Sequence, residues 1–306
     1  MSRDLPTCVV ITPVRDEAAH LPRTAASMTA QEVRPRQWVI VDDGSTDGTR
    51  ELAAQLASEH DWIELTDAPV REGIRARGAP IVHAFNHGLA CVDTRADVIV
   101  KMDADLVLPP DYFRRVLEEF AADPAAGVVG GVVVNEVHGR QQPDHRSFKV
   151  SGAVKAYRST CLDEIGGLRP AMGWDGIDEY AARARGWKIS LLTDVVVTHF
   201  GLRGGKQPWY RARFEEGVAN RYMGYLPTFL LVRVLYRMAV ETPPLLGGAA
   251  IAAGFIYASL TSAPQVDDPQ AIAELRAEQR SRMRGLIRRV ATRNQRPDAL
   301  PGAPPA

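Results

Sequence analysis

The sequence predicts an α/β protein with a mainly parallel sheet flanked by helices and a C-terminal apolar, helical extension. Three observations predict it. From Thr7 to Val134, short runs of β-branched and apolar residues alternate with helical stretches, the pattern of strands buried on both faces. Acidic residues gather where those runs end, and open sheets of this kind bind ligands beyond the carboxyl ends of their strands. The pattern then changes twice, to mixed and turn-rich sequence past residue 136 and to strongly apolar sequence past Leu226.

Taken in order, TCVVITPV reads as the first strand and Leu21 to Ala30 as a helix. QWVIVDD is the second strand, followed by a helix from Gly48 to Ser58. WIELTD is the third, followed by a helix from Ala79 to Cys91. VIVKMD is the fourth, with a helix from Asp111 to Ala121, and GVVGGVVV is the fifth. HGRQQPDHRSF is polar and reads as a loop. SGAVKAYR precedes a helix ending at Gly166-Gly167. GWDGIDEYAARARGW reads as a turn with a short helix beginning near Asp178, and KISLLTDVVVTHF as a strand. An amphipathic stretch runs from Pro208 to about Tyr225. An Arg-rich helix starts near Asp268, and the Pro-rich tail is expected to be disordered.

The bulk numbers exclude several classes. The 306 residues are 45% hydrophobic and 24% charged, an ordinary globular composition. Lys plus Arg equals Asp plus Glu at 37 each, so no charge excess points to nucleic acid. Cys8, Cys91 and Cys161 are far apart and form no metal-binding spacing. The opening MSRDLPTCVVITPV enters a strand at once and carries Asp4, which predicts no cleaved leader.

The chemistry concentrates at the strand ends. Arg15, Asp16 and Glu17 follow the first strand, Asp42 and Asp43 the second, and Asp103 and Asp105 the fourth. VDDGSTDGT places Asp43, Ser45, Asp47 and Gly48 at the first positions of a calcium loop, but the twelfth position is Ala54, and a strand precedes it. A strand-to-helix turn accounts for STDG, though not for two adjacent aspartates. No GxGxxG follows the first strand, where the sequence is PVRDEA, and no P-loop is present. Any phosphates bound here therefore need a charge partner. Asp103 and Asp105, one residue apart at the end of a core strand, suit a hard divalent cation with oxygen ligands, one able to bridge and neutralise a diphosphate. A helix N-cap ahead of PPDYF is the simpler alternative for a lone pair of this kind.

PVRDEA, VDDGSTDGT, KMDADLVLPPDYF, SGAVKAYRSTCLDEIGGL and WDGIDE occur in an order that resembles glycosyltransferase family 2, inverting enzymes of the GT-A fold. The resemblance runs from about Thr7 to His199 and is similar above all to a bacterial subset with a GWDxxDE motif. It implies a nucleotide-diphosphate sugar donor held by Pro13, Asp16, Glu17, Asp42, Asp43, Arg77, Asp103, Ala104 and Asp105. Asp42 or Asp43 would contact the base or ribose. Asp103 and Asp105 would hold Mn²⁺ or Mg²⁺, with His199 completing the metal shell, although a lone His at a strand end is more often structural. The sequence departs from the family in two places, with Asp16-Glu17 for Asn-Glu and WDGIDEY for the usual Glu-Asp. Asp175, Asp178 and Glu179 thus compete as catalytic base. A single displacement needs one carboxylate opposite the leaving nucleotide, and a place at a helix start, where the dipole favours the ionised form, points to Asp178. Trp174 and Trp187 suit a sugar platform or core packing equally, and Arg203, Lys206 and Arg213 are candidates to meet the diphosphate on loop closure.

Between Thr242 and Val266 no residue is charged, and basic segments lie on both sides. The run is near spanning length but rich in Ala and Gly, and flanks of one sign disfavour a single crossing. A hairpin broken at Pro243-Pro244, an interfacial helix or a packed helical subdomain is expected. The domains expected are a catalytic one over 1–225, a membrane-associating apolar and basic region over 226–296 and a tail over 297–306. The expected enzyme transfers a sugar to a glycan or lipid-linked acceptor at the cytoplasmic face of the cell membrane. Transfer to polyprenyl phosphate, or an inactive nucleotide-sugar-binding subunit, are the alternatives.

Overall fold

The computed structural model describes residues 5–69, 78–92, 96–137, 140–143, 149–200, 208–240 and 244–294. The first half alternates β1 (Cys8–Val14), α1 (Leu21–Thr29), β2 (Gln37–Asp42), α2 (Thr49–Glu59), β3 (Ile63–Asp67), α3 (Ala79–Ala90) and β4 (Val98–Met102). Then come β5 (Leu106–Val107), α4 (Tyr112–Ala122), β6 (Ala126–Val137), β7 (Arg140–Pro143), β8 (Val154–Arg158), α5 (Ser159–Glu164), α6 (Trp174–Ala184) and β9 (Lys188–His199). Four helices follow: α7 (Trp209–Tyr222), α8 (Pro227–Val240), α9 (Leu246–Leu260) and α10 (Pro269–Asn294).

The strands form one sheet in the order β3-β2-β1-β4-β8-β6-β9-β5, with β7 beside β6. Its first half is parallel, as expected: β3, β2, β1 and β4 run together. The second half is mixed. β8 runs antiparallel to both β4 and β6, β9 is parallel to β6, and β5 is antiparallel to β9. Because β8 reverses between two strands of one direction, the carboxyl ends of β1 to β4, β6 and β9 and the start of β8 all reach one edge.

Side-chain alternation divides the core into two layers. Val10, Trp38, Ile40, Val98 and Val100 pack with Leu21 and Met28 of α1 and Phe113 and Val116 of α4. Val9, Ile11, Val39, Val41 and Tyr157 pack on the other face with Phe85 of α3 and Ile177 and Ala181 of α6. α3 lies so close to the sheet that a Cβ at Gly88 would stand 2.6 Å from Val41 Cγ2.

Three local expectations need correction. Residues 140–143 of the segment expected to be a loop pair with β6 as a strand; residues 138, 139 and 144–148 lie outside the described set. Leu106-Val107 form an unexpected short strand against Thr198 and His199. α6 starts at Trp174, a full turn before Asp178, after Gly173 in the left-handed region at φ 89°.

The Ala and Gly content of α9 has a packing cause. A Cβ on Gly254 would stand 1.9 Å from Phe214 O, and one on Gly217 would stand 2.0 Å from Ile251 O. α7 and α9 therefore meet backbone to backbone. Among the described residues no helix is long and apolar enough to cross a membrane. α10 returns to the sheet domain, where Ala271 and Leu275 enter the second core layer. Arg169 and Arg185 each reach Asp268 Oδ2 at 3.1 Å, and Arg183 reaches Glu278 at 3.0 Å.

Candidate active site

The loops after β1 and β2 are stitched together. Thr46 donates its backbone N–H to Asp16 Oδ1 at 2.8 Å and its hydroxyl to the same oxygen at 3.1 Å. Glu17 donates its N–H to Thr49 Oγ1 at 2.7 Å, and Ala18 to Asp47 Oδ2 at 3.0 Å. Asp16 sits at φ 55°, a left-handed conformation that a short polar side chain tolerates. Its carboxylate thus closes the turn. Asp42 is buried, and its carboxylate accepts the N–H groups of Gly44 and Ser45 at 3.2 Å. Asp43 lies half-buried, 3.8 Å from Arg15. Around these residues opens a cleft of about 470 Å³, lined among others by Arg15, Asp42, Asp43, Asp67, Pro80 and His83. Pro13 is buried behind it, in register with Val41.

At the end of β4, Asp103 and Asp105 take different partners. Asp103 Oδ1 pairs with the ammonium of Lys101, which is itself 1% exposed. Asp105 Oδ2 lies 3.0 Å from His199 Nε2, while its Oδ1 is buried without a hydrogen-bond partner. The β5–β9 register makes this contact, since Leu106 stands opposite His199. His199 Nδ1 meets Asn135 Oδ1 at 2.9 Å, and an amide oxygen only accepts, so the ring proton belongs on Nδ1. The other ring nitrogen, Nε2, faces the Asp105 carboxylate. Burial works against ionising Asp105, but the hydrogen bond and charge of His199 outweigh it and hold its pKa below the ordinary range. Burial pushes Asp103 up, and Lys101 offsets only part of this. Burial and the neighbouring Asp105 charge also raise Glu17, whose Oε2 meets His20 at 2.9 Å. Ala104 is buried and its carbonyl accepts the Thr24 hydroxyl at 2.6 Å, which fixes the turn between the two aspartates. The unpartnered Asp105 Oδ1 beside the His199 ring offers oxygen and nitrogen donors of the kind a divalent cation takes. Asp103, the third expected ligand, is turned to Lys101, and no group of three His, Cys, Asp or Glu side chains converges as a metal shell among the described residues.

The three acids of WDGIDE separate clearly. Asp175 lies in the first turn of α6 and is half-buried. It faces the start of β8, since a Cβ at Gly152 would stand 3.1 Å from Asp175 Oδ2. Asp178 and Glu179 are in the next turn, 3% and 1% exposed. Lys155 Nζ reaches Asp178 Oδ2 at 2.9 Å, Glu179 Oε1 at 3.2 Å and the Asp175 carbonyl at 2.8 Å. The Tyr157 hydroxyl donates to Asp178 Oδ2 at 2.5 Å. Burial alone would lower the Lys155 pKa, but the Asp178 and Glu179 charges drive it above the ordinary value. The helix-start argument that favoured Asp178 therefore transfers to Asp175: the residue at the dipole's positive end is Asp175, and Asp178 is occupied inside the core.

Trp174 is buried and takes Lys101 Nζ 5.3 Å above its ring, so it is a core group. Trp187 donates to Glu164 at 2.8 Å, away from the edge. Arg213 pairs with Glu216 at 2.8 Å. Arg77, Arg203 and Lys206 lie outside the described residues. Lys101, Asn135, Lys155 and Tyr157 escaped the sequence reading. The two lysines did carry a signal, each being a cation between two apolar residues of a strand, Val100 and Met102 in VIVKM and Val154 and Ala156 in VKAYR.

The family model Glycosyl transferase family 2 matches residues 9–173, more than half of the chain. The match ends just before α6, so Asp175, Asp178 and His199 are placed by geometry alone. The beta-monoglucosyldiacylglycerol synthase of Synechocystis sp. is 27% identical over 242 residues, which is 71% of this chain and 49% of that protein. The succinoglycan biosynthesis protein ExoA of Rhizobium meliloti is 33% identical over 40% of this chain and 34% of its own length. A dolichol-phosphate mannosyltransferase of Mycosarcoma maydis is 27% identical over 61% of this chain and 64% of its own. The chain thus spans less than two thirds of these relatives. Among solved structures, the mannosyltransferase PcManGT from Pyrobaculum calidifontis, in complex with GDP-Man and Mn²⁺, superposes with a TM-score of 0.56 at 21% identity, covering 89% of this chain and 79% of that one. GalNAc-T7 with UDP, GalNAc and Mn²⁺ gives 0.54 at 14% identity, covering 71% of this chain and 48% of that one.

Proposed function

The chain belongs to glycosyl transferase family 2 and has the GT-A fold, and from that premise we propose that it moves a sugar, with inversion, from a nucleotide diphosphate to a hydroxyl on a lipid-linked or glycolipid acceptor. The observation that carries the reading is the pairing of Asp105 with His199, one carboxylate oxygen orphaned, on the same edge as Asp175 and the cleft. Asp43 and the walls of that cleft would hold the nucleoside. Asp105 and His199 would hold Mn²⁺ or Mg²⁺, with Asp103 beside them. Such a cation neutralises the diphosphate as it leaves. Asp175 would take the proton of the acceptor hydroxyl, because it alone of the three acids is accessible at the edge. Glu17, raised by burial and by Asp105, lines the same acidic edge.

Two relatives support a lipid acceptor: the name of one specifies glucosyldiacylglycerol, while that of the other specifies dolichol phosphate, which belongs to the phosphate alternative. The surface supports it too. On α8, Leu231, Leu235 and Tyr236 are 58%, 56% and 66% exposed. The inner face of the cell membrane is the proposed location. An acceptor phosphate would need no base, so the identity of the acceptor can be read from Asp175. Asp175→Asn should keep Mn²⁺-dependent nucleotide binding and lose about 10²–10⁴ in transfer to a hydroxyl. Full activity of that variant would exclude Asp175 as base and favour a phosphate acceptor. Asp105→Asn should abolish the metal-dependent part of nucleotide binding by calorimetry, and unchanged binding would overturn the metal assignment.

A further inference from the structure

Lys101 is a buried cation placed where the site is expected to attract cations. Its Cα partner across the β4–β8 ladder is Lys155, a second buried lysine. The two are compensated by different acids: Lys155 by Asp178 and Glu179, Lys101 by Asp103. Lys101 Nζ also donates to the Gly152 carbonyl at 2.8 Å and lies over the Trp174 ring. One ammonium therefore touches the first aspartate of the DxD pair, the β8 approach and the first residue of the helix that bears Asp175. A buried charge is costly unless it is paired, and an apolar residue would fill the middle of VIVKM more cheaply.

We propose that Lys101 is a positioning residue that acts as a built-in counter-cation. It neutralises Asp103, keeps that carboxylate off the metal, and leaves Asp105 and His199 to hold a single divalent ion. It also locks the DxD turn to the start of α6, so that the metal side and the base side of the edge keep a fixed separation. This rests on the glycosyltransferase reading of the site.

A purely structural lysine and a counter-cation predict opposite changes in metal affinity. Removing the ammonium leaves Asp103 uncompensated beside Asp105, and the two carboxylates then attract a divalent ion more strongly at short range. Lys101→Met should therefore be less stable without metal, bind Mn²⁺ alone about tenfold tighter or more, and regain stability when Mn²⁺ is added. Lys101→Gln, which can still donate to the Gly152 carbonyl, should show the same tightening with a smaller stability loss. Donor hydrolysis should fall in kcat in both, because Asp103 and α6 lose their tether. Mn²⁺ affinity is read by titration calorimetry and stability by thermal melts, each with and without Mn²⁺ and without donor. Unchanged or weaker Mn²⁺ binding in the variants, with tight binding in the parent, would overturn the counter-cation. So would failure of both variants to fold even in Mn²⁺, since the ion is to substitute for the ammonium. If the parent itself binds no Mn²⁺ in the presence of nucleoside diphosphate, the reading of the site fails first.

Discussion

Asp178 and Asp175 are three residues apart and sit in different surroundings, and the difference is burial. Asp178 accepts from Lys155 and Tyr157 in a space closed to solvent. Removing one partner of a buried ion pair costs about 3–5 kcal/mol, because the other charge is left uncompensated. Asp178→Asn should therefore lower the free energy of unfolding in urea by that order, while the folded fraction keeps its affinity for nucleotide. Asp175→Asn should do the reverse and lose turnover at unchanged stability. A stable but inactive Asp178→Asn would return the base to Asp178. At this scale the sequence was partly legible. The acids at strand ends were readable because charge at the end of a buried strand needs a reason. Which of the α6 acids stays partly exposed was not, since it depends on α6 starting at Trp174. Nor was Asn135, because an asparagine near the end of an apolar strand carries no mark of the His199 it orients. Cys8 and Cys161 are buried thiols with pKa values pushed up to about 12 by burial.

Between elements, the α7–α8 junction is held by charge as much as by packing. Glu216 on α7 receives Arg213 at 2.8 Å and Arg237 at 3.6 Å, and pairs as well with Arg233. Burial works against its ionisation, but the arginine charges prevail and hold its pKa below the ordinary 4.5. A depressed carboxylate contributes stability above its unfolded pKa and loses it as pH falls through the folded one. Glu216→Gln should therefore be less stable than the parent at pH 7, by roughly 1–3 kcal/mol. The gap should close as the pH is lowered below about 4.5. Urea unfolding at several pH values measures it, and a gap independent of pH would mean that packing, not charge, holds the junction. The long elements were readable from periodicity: β1 to β4 and α1 to α4 begin and end within about two residues of expectation. β5 and β7 were not, because a two-residue strand and a polar one exist only through the neighbours they pair with. α9 looked like a weak membrane span because the same Ala and Gly residues permit close packing on α7.

Across the whole molecule, charge and apolar surface segregate together. The chain carries 37 residues of each sign, yet from Pro208 to Asn294 there are twelve arginines, no lysine and seven acids. The same segment exposes Leu231, Leu235, Tyr236 and Val240 on α8 and Leu246, Ile256 and Leu260 on α9. The expected boundary at residue 225 cuts through contacts, since Val266 donates to Tyr222 O at 2.9 Å and Leu275 is buried against the sheet domain. We therefore expect these helices to move with the catalytic part as one body that presents an apolar, basic face. An anionic lipid surface suits that face, with about 1 kcal/mol per arginine near the headgroups and about 25 cal/mol per Å² of apolar area buried. The full chain should co-sediment with vesicles of phosphatidylglycerol and phosphatidylcholine, and raised salt should release only part of it, because the apolar share is not screened. Leu231→Glu with Leu235→Glu should abolish binding without changing the melting temperature, since both side chains already face solvent. If the doubly substituted protein binds vesicles unchanged, or if the parent instead forms a dimer that the substitutions split, the face meets something other than a membrane. The acceptor would then be sought in solution.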